Sequence, residues 1–125
     1  MSAVSEWRAQ VSVVSRVVIV VVDNALAQLP AERNKVRLPL LAVRRDAHEL
    51  QEMDSVGEFA PSEQWSRCWA NDINANAAAI SRLVSIMGET EDPIMDIVSP
   101  VTVAVARLVA IVVGVPRGAV MKPDP

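Results

Sequence analysis

Few residues of this 125-residue chain have the type and spacing that chemistry requires. His48 is the only histidine, so it is the sole candidate for imidazole chemistry near neutral pH. A metal site built from several histidines is thereby excluded. Cys68 is the only cysteine, which excludes an intrachain disulfide and is compatible with a reducing compartment. From this cysteine usage we expect a cytoplasmic setting.

The polar residues Asp72, Asn74 and Asn76 copy the opening of a calcium-binding loop, in which oxygen ligands stand two residues apart. The rest of the loop pattern is missing. Ala77 stands where a glycine is needed for the turn, and Leu83 stands where a bidentate glutamate closes the site. The sequence also lacks a glycine-rich phosphate loop and a nucleophile elbow. It therefore predicts no metal and no cofactor, and it favours a protein without catalytic activity.

The apolar residues recur with helical three-four spacing, which predicts an all-α, up-and-down four-helix bundle. Helix one is expected over residues 2–29, with its polar residues, Ser15 among them, off the buried side. Its valine-rich run 17–22 also permits a strand, because β-branched residues favour strands. Helix two is expected over residues 39–55 behind an interrupted stretch at 31–38, since a proline disfavours helix at the residue before it.

Helices three and four carry clear start signals. Helix three is expected over residues 62–87, opened by a serine N-cap, and helix four over residues 93–115, opened by a proline that follows an aspartate. The step from Ser99 to Pro100 is expected to kink or restart helix four. Residues 1–115 would form one helical domain, followed by a flexible, proline-rich tail at 116–125.

The charged residues are scattered and give a small net negative charge. The chain has 12 basic and 15 acidic residues, which leaves a formal net charge of −3. Surfaces that bind nucleic acids need clustered Lys and Arg to neutralise phosphates. We therefore expect no nucleic-acid partner.

The run 97–115 approaches the length of a membrane span, but its composition argues against stable insertion. Arg107 near its centre costs about 2.5 to 3.5 kcal/mol on insertion scales, while each Leu, Ile or Val contributes only about 0.3 to 0.6 kcal/mol. The apolar run 17–22 is far shorter than the roughly 20 residues of a span. Asp23 follows this run directly, so cleavage of a secretory signal is not expected either.

Helices one and four have no broad polar face, so one bundle would leave part of their apolar surface uncovered. A second copy of the chain could cover that surface, and another protein could do the same. We therefore expect a homo-oligomer whose interface lies on these two helices. The expected interface residues are Val17, Val18, Val21, Val105, Leu108, Val109 and Val112.

His48 lies in the phrase Ala47-His48-Glu49-Leu50, on the flank of helix two, where it should be accessible. An exposed histidine in such a phrase on a four-helix bundle resembles the histidine phosphotransfer domains. The resemblance implies phosphorylation of His48 by a signalling partner. The chain departs from the family pattern at Gln51, where the family has a lysine, and at Glu52, where it has a glycine.

Trp65 and Trp69 stand one helical turn apart and are the candidates for binding a ligand. At this spacing, aromatic side chains usually belong to a core or an interface. The alternative is a ligand pocket lined by tryptophan and valine. It would make the protein a carrier of a small hydrophobic molecule.

Overall fold

A computed structural model of the chain describes residues 3–55, 63–86 and 94–114. Within these ranges the chain forms α1 (Ala3–Gln28), α2 (Asn34–Ser55), α3 (Glu63–Ile86) and α4 (Ile94–Val113), with a 3-10 turn at Ala31–Arg33 before α2. Helix α1 packs against α2 and α4, and α3 packs against the same two helices. The predicted all-α four-helix bundle is confirmed. The predicted caps near residues 62 and 92, the end of helix three at residue 87, and the tail lie outside the described residues.

Helices α1 and α4 run antiparallel. The indole N–H of Trp7, near the start of α1, donates a hydrogen bond of 2.8 Å to the carbonyl of Ile111, near the end of α4. At the opposite end of the pair, Ala25 and Ile97 line the same small cavity between the two helices. Val17 and Val103 therefore lie at about the same height, midway between these two points.

The valine-rich run 17–22 is helical throughout, so the strand interpretation is wrong. Its valines point in opposite directions: Val18 and Val22 are fully buried, whereas Val17 and Val20 face solvent. Valine lowers helix propensity only slightly. Packing against two neighbouring helices outweighs that small preference.

The second helix begins at Asn34 and passes through Pro39, which corrects its predicted start at the proline. The break that precedes it is confined to the turn at Ala31–Arg33. Pro39 has no N–H to offer the carbonyl of Lys35, four residues earlier. Lys35 is exposed, so water can bond to that carbonyl. Burial of Leu40 on the core side stabilises this part of the helix.

The fourth helix is likewise continuous through Pro100, so the predicted restart there is wrong. Pro100 is exposed, and water can reach the carbonyl that loses its partner. The carbonyl of Ser99 accepts a 2.9 Å hydrogen bond from the hydroxyl of Thr102. Because Pro100 is accessible to water, its missing N–H costs little.

All four helices contribute to an aliphatic core. Helical spacing predicts a common inner side of α2 for four residues, and all four are buried. They are Leu40, Val43, Ala47 and Leu50. In α1, Ser15 is fully buried, which corrects its predicted place off the buried side. One polar side chain of α1 therefore has to find its partners inside the bundle.

Leu108 tests the assignment of the inner side of α4. It is fully buried, so Leu108→Ala should lower the free energy of unfolding by about 2 to 5 kcal/mol through lost burial and the cavity left behind. Met95→Ala is the matched control, because Met95 lies exposed on the same helix. It should change stability by less than about 0.5 kcal/mol. Urea denaturation of both variants measures the difference, and equal effects would contradict the assignment.

Candidate functional site

His48 lies on the outer side of α2 with its side chain 47% exposed, as expected from the sequence. Its Nδ1 atom is 3.5 Å from the carboxylate of Glu52, one turn later. The two side chains border an open groove of about 510 Å³. The groove is lined by Leu41, Arg44, Arg45, His48, Glu49 and Glu52. All of its lining residues come from one helix, so it is a surface depression and not an enclosed site.

Gln51, at the position of the phosphotransfer lysine, points away from His48. Its amide N–H donates to the carbonyl of Ser12 at 2.6 Å and to the hydroxyl of Ser15, both on α1. The hydroxyl of Ser15 in turn donates to the carbonyl of Ser12 at 3.0 Å. This polar cluster joins α1 to α2 and satisfies the buried serine.

The surroundings of His48 lack the stabilising ammonium of the phosphotransfer pattern. A phosphoryl group on the imidazole would lie beside the carboxylate of Glu52, which would repel it. Arg44 borders the groove, but its Nε already donates to Asp23 of α1 at 2.8 Å. Phosphotransfer through His48 stays a prediction. Transfer from a phosphorylated response regulator, abolished by His48→Gln, would support it.

A second polar cluster, which the sequence did not reveal, lies between α2 and α3. Asp46 is only 3% exposed. One oxygen of its carboxylate accepts a 3.1 Å hydrogen bond from Asn76, and its backbone carbonyl accepts a 3.0 Å bond from the indole of Trp69. The guanidinium of Arg45 lies 3.8 Å from Asp46 and 4.0 Å from Asp72. The cluster therefore joins a buried carboxyl of α2 to polar side chains of α3.

The pKa of Asp46 is raised to about 7, and burial of its carboxyl is the largest cause. The hydrogen bond and the negative charge of Asp72 raise this pKa further, whereas Asn76 and Arg45 lower it. Two carboxyls that share a proton can act as a general acid and base. Here one of them is almost completely buried. We therefore assign the cluster the role of fastening α2 to α3.

The calcium-like segment is helical, which separates its polar side chains. Asp72 and Asn76, one turn apart, both reach Asp46 of α2, whereas Asn74 is exposed. Within the described ranges, no group of three or more His, Cys, Asp or Glu side chains could hold a metal ion. In the sequence, the spacing of four residues between Asp72 and Asn76 indicates that both lie on the same side of α3.

Trp65 and Trp69 stack with ring centroids 6.5 Å apart and planes inclined by 17°. Trp69 is buried and bonded to the backbone of α2, while Trp65 is half-buried. Trp69 therefore serves the packing of α3 against α2, Trp65 packs against the core, and their role in ligand binding stays a prediction. Cys68 is exposed, although its position in the sequence, beside the apolar side of helix three, predicts an apolar flank.

The residues expected at an interface divide into two groups. Four of them are buried in the core of the single bundle, and three reach the surface. The buried ones are Val18, Val105, Leu108 and Val112, and the others are Val17, Val21 and Val109. Four α1 residues, Val13, Val17, Val20 and Val21, line one open depression, and we call this apolar surface the valine face.

Comparison with family models, with curated proteins and with solved structures gives no match to this chain. Its function is therefore inferred from its own geometry.

By length and composition alone, Ser5–Gln28 and Ile94–Val113 could each cross a membrane. The core helices of soluble proteins have the same two properties, so this observation is weak. The expectation that helix one is too short to span applies only to its uninterrupted valine run. In the bundle, α1 buries Ser15 against Gln51 of α2, a polar contact between helices.

The buried carboxyl of Asp46 predicts a pH dependence of stability. Its pKa is about 7 in the folded state against an ordinary value of 3.8, so the folded chain holds this proton more tightly than the unfolded chain. The contribution is complete below about pH 4 and is lost as the pH rises through about 7. Asp46→Asn, which needs no proton, should flatten the fall in unfolding free energy between these two values.

Urea denaturation across this pH range measures the effect. Asp96→Asn is the matched control, since Asp96 is exposed on α4, and it should keep the wild-type slope. An Asp46→Asn variant with the wild-type slope would show that Asp46 ionises normally in the folded protein.

Proposed function

We propose that this chain is a non-catalytic helical assembly protein, which associates with further copies of itself through the valine face. The proposal rests chiefly on the exposure of Val13, Val17 and Val20, whose exposed fractions are 60%, 45% and 53%. These valines recur at three-residue and four-residue intervals along one side of α1.

Scattered apolar side chains are ordinary on protein surfaces, but contiguous apolar patches mark interaction sites. Val13, Val17, Val20 and Val21 line an open depression of about 280 Å³, in which Arg16 supplies the polar edge. Leu41 of α2 is also exposed, but it lies in the His48 groove among arginine and glutamate side chains and not in an apolar patch.

A second copy of the chain is the occupant that needs the fewest assumptions. An isologous interface brings the same patch of both subunits together, so one apolar surface supplies both sides. Covering it removes apolar side chains from water, which is favourable by roughly 25 cal/mol per Å². Stable interfaces bury about 800 Å² on each partner. A patch of four valines, even with its borders, is smaller than that, so we expect association at micromolar concentration and not a permanent dimer.

Val17→Glu tests the proposal. A carboxylate in the middle of the valine face would have to be buried without a partner on association, so the variant should be monomeric. Leu38→Glu is the matched control, because Leu38 is 74% exposed on α2, away from the valine face. Sedimentation equilibrium at micromolar concentration should give an associated wild type and an associated control. Circular dichroism should show equal helicity, and a monodisperse wild-type monomer would overturn the proposal.

Lipid is the competing occupant of the valine face. The chain should remain in the aqueous fraction when it is floated with neutral or anionic vesicles, since the proposal keeps the soluble, cytoplasmic setting expected from its sequence. Flotation with the vesicles, lost in Val17→Glu and kept in Leu38→Glu, would assign the valine face to a membrane surface instead.

A further inference from the structure

The outer side of α1 carries the seam positions of two heptads, with valine at the central three. Its exposed residues Gln10, Val13, Val17, Val20 and Asn24 follow one another at alternating intervals of three and four. This is the spacing of the seam through which two helices pack in a coiled coil. The seam is apolar in its middle and ends in an amide on each side. It is therefore limited to about 20 Å of helix, at 1.5 Å per residue.

The two flanks of this seam differ in chemistry. On the flank towards α2 lie Arg16 and Asp23, two opposite charges seven residues apart and both exposed. The bond from Arg44 of α2 to Asp23 identifies this side. On the flank towards α4 lie Val14 and Val21, both half-buried. One flank is thus charged and the other is apolar.

The orientation of a partner helix follows from this difference. In a parallel pair, each flank meets the opposite flank of the partner, which would place Arg16 beside a valine. In an antiparallel pair, like flanks meet. With Val17 of one copy packed at the level of Val20 of the other, the charged flanks bring Arg16 opposite Asp23, and the apolar flanks bring Val14 opposite Val21. Twofold symmetry then forms each contact twice.

We propose that two copies pack through α1 in antiparallel orientation, with Arg16 of each copy paired with Asp23 of the other. This inference rests on the proposed self-association and adds its partner helix, orientation and register. The charges set the register, because an apolar seam of identical valines has little preference among alternatives. Asp23 is half exposed while it accepts its bond from Arg44, so its carboxylate can accept a second donor.

Charge exchange tests the pairing. Arg16→Asp and Asp23→Arg each place like charges opposite one another at two symmetric points, so each should raise the dimer dissociation constant by about tenfold. The double variant restores opposite charges and should associate more tightly than Asp23→Arg, which differs from it only at position 16 and lacks the same bond to Arg44. Glu49→Arg is the matched control on the outer side of α2, and it should leave association unchanged. A double variant as weak as Asp23→Arg would overturn the pairing.

The separation of two spin labels tests the orientation independently. A label on Gln10→Cys, in a chain that also carries Cys68→Ser, should report about 25 Å between copies, from 17 residues at about 1.5 Å each. Parallel packing would place the labels roughly 10 Å apart, the distance between neighbouring helix axes. A short distance would overturn the antiparallel arrangement but leave self-association intact. If the labelled chain and the wild type are both monomeric, self-association and the antiparallel arrangement are both overturned.

Discussion

The rotation of α1 about its own axis is the constraint on which the bundle depends. The helix has valines on its outer side as well as its inner side, so apolar burial favours one rotation less sharply than in an ordinary amphipathic helix. Buried Ser15 adds to the selection, because only one rotation brings it to Gln51 of α2. A buried polar group that is satisfied in one arrangement penalises every other arrangement by an unmade hydrogen bond. The hydrogen bond of Ser15 thus makes one rotation of α1 more stable than the others.

Further polar bonds hold α1 at both ends in the same rotation. Trp7 bonds to the backbone of Ile111 on α4, and Asp23 bonds to Arg44 on α2. The Trp7 bond fixes the height of α1 against α4, and the other fixes its height against α2. With the rotation and both heights fixed, Val13, Val17 and Val20 are left on the surface. Their exposure is therefore a consequence of the polar contacts.

Helices α2 and α3 are joined on a different principle. Both are amphipathic, so their apolar sides were readable from the sequence, and Leu40, Val43 and Ile73 are buried as expected. Asp46 is then an addition to a contact that hydrophobic burial already specifies. Its raised pKa makes that contact weaker as the carboxyl loses its proton. The α1 contacts rely on neutral hydrogen bonds and one exposed ion pair, so the pH dependence belongs to the α2–α3 contact.

The sequence predicted the features that follow from the spacing of apolar residues. It missed those that depend on contacts between residues far apart in the chain. Four helices and the inner side of α2 followed from spacing. The same spacing placed Trp7, Val11 and Val18 on the inner side of α1, where they are buried, but it missed Ser15. The run 17–22, apolar on every side, also allowed Val18 to be assigned to an interface. Asp46 escaped notice because its partners lie on α3, 26 and 30 residues further along the chain at Asp72 and Asn76. Helix propensity likewise gave no sign that α2 continues through Pro39.

The same reasoning separates the two environments that a valine-rich helix could occupy. A helix surrounded by lipid needs a continuous apolar surface of about 20 residues. The outer side of α1 offers a shorter one, bounded by Gln10 and Asn24 and flanked by Arg16 and Asp23. Charges and amides at the border of an apolar patch are the arrangement of a protein interface, with an apolar centre and a polar rim. The outer side of α1 therefore fits a protein surface better than a bilayer, and complementary charge is what the proposed pairing of two α1 helices would add.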